Sequence, residues 1–355
     1  MFSPLSVRKM LDYVDCDAKS KSPCKRRDAY VTEKYFEADI LPVIANGSTS
    51  TGWCYIEENW IRHWFKVIIN IHDNEAERNI DRQIIQKLKE IDERQRFFIV
   101  SIDSNLISLR EIIEENGKPV LRTVSVPFCD IERMNQEALR LSELPDHPAP
   151  FSEKWLKNYG EYDLITLLIQ RLLMNIGLGN KFPLDVDAIE INNDQLIFHE
   201  FKRKNKCPNG CFIIENESIS KSKLLTVLRK CNEKKLIYGT ELFEFVEAEF
   251  GYKRDENAQC YGLDMSHLSN YEFCINNNIQ YIHTIWDSGD YPDKPDISDL
   301  FNEDIKPRNG IRLISKRLEE NDFCGFIFTG GTNSGSFTTK LRIQATLDAG
   351  VLGNI

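Results

Sequence analysis

The stretch Phe182–Lys204, FPLDVDAIEINNDQLIFHEFKRK, constrains the fold more than any other. Its alternating apolar and polar residues predict two strands, Leu184–Ile191 and Leu196–Lys202. Asn192, Asn193 and Asp194 lie between them, and Asn and Asp tolerate the left-handed backbone of a tight hairpin turn. Side chains alternate along a strand, so Asp185 and Asp187 share one face of the first. Glu200 and Lys202 share one face of the second. Two carboxylates make a hard oxygen site for Mg²⁺, and a nearby ammonium can hold an anionic oxygen or assist a water.

The 355 residues allow two domains, or one with large insertions. Apolar residues at 41% and charged residues at 28% are those of a soluble globular protein. The net charge of −10 argues against a protein that coats nucleic acid nonspecifically, though a localised basic groove remains open. MFSPLSVRKMLDYVD has no apolar core segment, so no signal peptide is expected. No run approaches a membrane span. The ten cysteines, without an export signal, point to reduced thiols and a cytoplasmic setting.

In the N-terminal part, Lys19–Arg27 is a basic cluster, read as a solvated loop or a phosphate-contacting arm. Gly47–Gly52, GSTSTG, reads as a flexible loop. Trp53, Trp60 and Trp64 read as core rather than as a stacking platform. Val67–Ile71, Arg96–Ile102 and Pro119–Val126 read as strands, and Glu75–Glu93 and Leu106–Asn116 as helices. Strands alternating with helices predict an N-terminal α/β domain over 1–150. Ser142–Pro150 holds three prolines and reads as a linker. A helical region, Ser152–Asn175, then leads into the hairpin. The stretch 205–259 is a charged insertion, and the segment 199–235 is locally +6. That suits either a DNA-facing lobe or one solvated helix, Ser222–Lys235. Gly262–Trp286 reads as helix, turn and strand, with Ser266 as cap and Leu268, Tyr271 and Cys274 on one face. Asp287–Asp304 reads as a loop, Leu313–Glu319 as a helix and Phe323–Thr329 as a strand. Gly330–Ser336, GGTNSGS, has serine where a Walker loop needs lysine and reads as a turn.

The spacing from Asp187 to Glu200-Phe201-Lys202 resembles that of the PD-(D/E)xK nuclease superfamily, in which Asp is followed by Glu-x-Lys. The Pro-Asp dipeptide is degenerate here, since Leu184 stands between Pro183 and Asp185. His267 and Tyr271 look like the Gln-x-x-x-Tyr pair of RecB-like members, with His in place of Gln. Positions one turn apart share a helix face. The resemblance covers roughly 155–205 and 260–287. It implies a restriction-endonuclease-like αβββαβ core with a mixed central sheet over 151–300, preceded by the α/β domain and followed by a C-terminal extension, 301–355.

The resemblance also implies an activity: metal-dependent hydrolysis of DNA, leaving a 5′-phosphate and a 3′-hydroxyl. Asp187 and Glu200 would hold Mg²⁺ or Mn²⁺, with Asp185 as a reserve ligand. Lys202 would act on the attacking water or the phosphorane charge. Glu161, at the start of the preceding helix, would be a further acidic residue. His267, Tyr271, Arg203 and Lys204 would meet the nucleic acid. Restriction or other antiviral defence, as a homodimer or as a subunit of a defence complex, follows by analogy. A non-catalytic DNA- or protein-binding subunit and an RNA-cleaving enzyme are the alternatives.

Cys207-Pro-Asn-Gly-Cys211 supplies two thiols. Zinc would need two more ligands, and Cys231 and Cys260 stand at no recognisable spacing. Gly-x-Ser-x-Gly and His-Glu-x-x-His are both absent from the sequence, which disfavours serine hydrolases and zincins.

Overall fold

The structure is a computed structural model. It describes residues 36–59, 61–69, 75–103, 106–115, 118–123, 132, 184–204, 206–207, 210–215, 217–287, 312–330, 333–334, 337–338 and 340–350. The expected basic arm at 19–27, the linker at 142–150, the helix at 152–175 with Glu161, and nearly all of the loop at 287–304 lie outside the described residues. The chain is α/β with a large mixed sheet, and it divides into two compact units. One comprises 1–199 with 295–306, the other 200–294 with 307–355.

In the first unit, two short helical turns, Phe36–Ile40 and Leu41–Ile44, precede β1 (Ser48–Glu58) and β2 (Ile61–Ile69). Helix α1 (Glu75–Ile91) follows, then β3 (Arg96–Asp103), β4 (Leu106–Glu115), β5 (Lys118–Thr123), β6 (Leu184–Asn192) and the start of β7 (Gln195–Lys204). The strand order is β7-β6-β1-β2-β3-β4-β5. Only β2 and β3 are parallel among the paired strands of this unit, and α1 is the crossover that a parallel pair requires.

GSTSTG is not a loop: Ser48–Thr51 pair with Ile191–Ala188 of β6. Alternating Ser and Thr suit a strand bordered on both sides, and that tertiary pairing overrides the turn-like composition. The expected helix at 106–116 is likewise β4, paired with β3 on one side and β5 on the other. Ion pairing fixes its register: Arg96 donates to both oxygens of Glu111, at 2.6 and 2.9 Å.

Ile84 and Leu88 of α1 are buried, as are Trp53, Trp64, Phe65, Phe97 and Phe198 of the strands. Trp53 and Trp64 are therefore core, as their aromatic clustering predicts. A buried polar knot ties α1 to the sheet. Lys66 Nζ donates to Ser50 Oγ (2.8 Å) and to the Thr51 carbonyl (2.6 Å), and Ser50 Oγ donates to Asp81 (2.6 Å).

The second unit starts within β7. It contains β8 (Cys211–Ile213), α2 (Lys221–Glu233), α3 (Thr240–Phe250), β9 (Lys253–Asp255), β10 (Cys260–Leu263), α4 (Met265–Asn276) and β11 (Gln280–Asp287). Then come β12 (Arg312–Arg317), β13 (Phe323–Thr329), the two-residue strands β14 (Asn333–Ser334) and β15 (Phe337–Thr338), and β16 (Arg342–Asp348). A five-stranded sheet has the order β10-β16-β13-β8-β9. Outside it, β12 pairs with β11, which borders β7.

The expected helix at 313–319 is the strand β12, because its backbone pairs antiparallel with β11 from Asp287↔Arg312 to Ile282↔Arg317. The charged insertion folds around α2, whose Leu224, Val227 and Cys231 are buried. Ser220 caps α2, with its hydroxyl accepting from the Lys223 N–H. Asp264, not Ser266, is the N-cap residue of α4, and its carboxylate accepts from Gln344. Asn277 and Asn278 end the helix, the latter at φ 55°.

Candidate active site

The hairpin forms with a two-residue turn. Asn193 and Asp194 take φ values of 48° and 66°, the left-handed pair that a type I′ turn demands. The β6–β7 ladder runs from Asn192↔Gln195 to Ala188↔His199. Asp187 and Glu200 each stand one residue beyond its last pair.

On β6, Asp185 and Asp187 are half-buried and alternate with buried Val186 and Ala188. Asp185 pairs with Cys54 of β1, and burial together with the Asp185 charge pushes the Cys54 thiol up. Asp187 stands across from Gly52, between the pairs Thr51↔Ala188 and Trp53↔Val186. Gly52 has φ 82°, which favours glycine, and β1 therefore has no side chain opposite Asp187.

Also in the first unit, Glu190 and His199 form a buried pair, with Nε2 2.7 Å from Oε2. The Asn46 N–H donates to the other carboxylate oxygen at 2.9 Å. Burial acts to raise the Glu190 pKa. The hydrogen bond and charge of His199, with the Asn46 and Gly47 amides, outweigh burial and hold it below the usual range.

In the second unit, Glu200 is buried and anchored from α4. Nδ1 of His267 lies 2.6 Å from Oε1, and Nδ2 of Asn270 donates to Oε2 at 3.3 Å. The His267 ring in turn meets that of His283 on β11 edge to face, 6.2 Å between centroids. Lys202 follows two residues after Glu200 and is half-buried. Arg203 and Lys204 continue the backbone of β7, and their side chains lie outside the described residues.

Tyr271 is buried against Phe323 and Tyr281, at 4.8 and 5.9 Å between ring centroids. Burial first, then the nearby acids Glu320, Asp322, Glu319 and Glu272, push its phenol up to about 12. His267 and Tyr271 thus share a helix but have different neighbours.

Sequence reasoning missed Asn270 and Glu190. Asn270 was findable, since it stands one turn after His267 on the same helix face. Glu190 shares a strand face with Ala188, whose partner is His199, a diagonal relation visible only once the register is known.

An open cavity of about 790 Å³ lies in the first unit between α1 and β3–β5, with Ile85, Ile99 and Ile112 in its wall and Arg78, Arg82 and Arg110 among its cations. No predicted site residue lines it. Among the described residues, no group of three or more His, Cys, Asp and Glu is placed to hold a metal ion. Nor is any helix among them long and apolar enough to cross a membrane. Compared with known proteins, the chain matches no family model, no curated protein and no solved structure.

Proposed function

We propose that the chain is a Mg²⁺- or Mn²⁺-dependent endonuclease that hydrolyses DNA, built on a restriction-endonuclease-like core and serving defence against foreign DNA. The observation that carries this reading is the hairpin. On β6, Asp185 and Asp187 share one strand face; on β7, Glu200 and Lys202 share one. Asp187 and Glu200 would supply carboxylate oxygens to the metal. The metal would polarise the phosphoryl oxygen and lower the pKa of the attacking water. Lys202 would orient that water or offset the charge developing on phosphorus.

The hold on Glu200 fits the role. An ionised carboxylate has about four lone-pair sites. It accepts from Asn270, lies against the His267 ring nitrogen and retains capacity for a cation, and those two neighbours hold it in place.

One observation favours a second reading, a non-catalytic DNA- or protein-binding subunit. Glu200 is only 1% exposed and both of its oxygens are engaged, as in a structural carboxylate.

Plasmid cleavage separates the two. The nuclease reading expects cutting that needs Mg²⁺ and stops in EDTA. Asp187→Asn, Glu200→Gln and Lys202→Ala should each lower it by about 10²-fold or more, with the fold checked by circular dichroism. His267→Ala and Asn270→Ala should cost about 10- to 100-fold, as outer partners of a metal ligand do. Undiminished cutting by Glu200→Gln or Lys202→Ala removes the hypothesis. No metal-dependent cleavage of DNA or RNA by the intact protein leaves the binding subunit.

A further inference from the structure

Four cysteines from three separate stretches of the chain meet within the second unit. Cys207 and Cys211 bracket the approach to β8, Cys260 opens β10, and Cys324 lies in β13. In the sheet order, β16 and β13 separate β10 from β8. The Cys207 N–H donates to the Cys260 carbonyl at 2.8 Å. The residues leading from Cys207 to Cys211, with a reach of about 13 Å, thus bring the approach to β8 against the start of β10.

The sulfurs gather at that point. Sγ of Cys211 and Sγ of Cys324 are 4.0 Å apart. The Cys260 thiol lies within interaction range of Cys207, Cys211 and Cys324. None of the four is in a disulfide.

Two backbone irregularities bring them there. Gly210 has φ +66°, and a Cβ on it would meet the Asp255 carbonyl oxygen at 1.9 Å, so the turn into Cys211 requires glycine. The β13–β16 register shifts between Phe323 and Gly325, which makes Cys324 the extra residue of a bulge. Bulges re-aim side chains. The Thr346 hydroxyl then lies 3.3 Å from the Cys324 sulfur.

We propose that Cys207, Cys211, Cys260 and Cys324 bind one zinc ion as a closed tetrathiolate site that staples β8, β10 and β13 together. Four sulfur ligands with no open position are the structural kind of zinc site. Zn–S bonds of about 2.3 Å in a tetrahedron put sulfurs about 3.8 Å apart, close to the 4.0 Å between Cys211 and Cys324. Among the described residues no such group is yet at coordinating geometry. Cys211 and Cys324 share a thiol hydrogen bond, and metal binding would displace such protons and draw the sulfurs inward.

The pairing of Cys207–Cys211 with Cys260 and Cys324 replaces the sequence expectation that named Cys231, which is buried in α2.

The experiment measures bound metal and not DNA cleavage, so it stands apart from the nuclease reading. Intact protein, purified under reducing conditions, is assayed for metal by mass spectrometry. It is then stripped and titrated with Co²⁺. About one zinc per chain is expected as isolated. Co²⁺ should give thiolate-to-metal charge-transfer absorption and tetrahedral ligand-field bands that saturate near one equivalent and vanish on adding Zn²⁺. Cys207→Ser and Cys324→Ser should each weaken Zn²⁺ binding by at least about tenfold, while Cys231→Ser leaves the stoichiometry unchanged. Protein that carries no zinc and shows no cobalt bands overturns the proposal. So do bands that persist unaltered in Cys207→Ser and Cys324→Ser, or a Cys211–Cys324 disulfide in the reduced preparation.

Discussion

His199 and Glu200 are consecutive residues that alternate across β7, and each is buried with its own ionisable partner. Breaking a buried ion pair from one side strands the other charge, at a cost of about 3–5 kcal/mol. His199→Ala should therefore destabilise the protein by roughly 3 kcal/mol, read as a lowered denaturation midpoint. The same pair gives a pH dependence. The folded-state pKa of Glu190 is depressed, so its contribution is present above the unfolded value of about 4.3 and is lost as pH falls through the lower folded value. Stability measured by denaturant melts should fall on acidification below about pH 4, and Glu190→Gln should flatten that part of the curve. Residues of this kind were half legible. Glu200 stood out because a spacing pattern flagged it, whereas Glu190 belongs to no pattern and owes its role to a cross-strand diagonal.

At the scale of elements, the hairpin turn carries a testable conflict. Asp194 sits at φ 66°, where an L side chain costs about 1 kcal/mol relative to glycine. Its carboxylate meets Lys87 at 2.8 Å, but its side chain is 82% exposed. Exposed pairs contribute about 0–1 kcal/mol. The backbone effect is the larger, so Asp194→Gly should stabilise the protein slightly, by about 0.5 kcal/mol, and raise the melting midpoint. The hairpin, α1, β3, β5, α4, β11 and β13 were all legible, because a run of alternating or helical periodicity decides such elements locally. β1, β4 and β12 were not. Their composition suits a loop or a helix, and what makes them strands is a partner on the adjoining strand.

For the whole molecule, the four-cysteine cluster of the five-stranded sheet predicts an uneven response to metal removal. Its five strands are short, between three and seven residues. Strands of that length supply few ladder hydrogen bonds, and binding free energy at a structural zinc becomes folding free energy. Stripping the metal should raise hydrogen exchange in peptides spanning 207–213, 253–263 and 323–329. Protection should persist over 48–69 and 96–115, which belong to the first unit's sheet. Uniform loss of protection, or none, would speak against a metal-stapled second unit. This was the part least visible beforehand. Cys207 and Cys211 announce themselves by spacing, but Cys260 and Cys324 reach them only through strand pairing and the bulge.

The alternation of His199 and Glu200 also acts as a lock on strand register. Sliding β7 by one residue in one direction would bring Glu200 to the position opposite Ala188, beside Glu190, and bury two carboxylates together. Sliding it the other way would bring Phe198 there and leave Glu190 with no cation. Sheets usually resist slippage because apolar faces would turn to solvent. Both faces of this hairpin are buried, so that safeguard is weak here. Opposed charges decide the alignment instead, and every strand that builds outward from β6 and β7 inherits it.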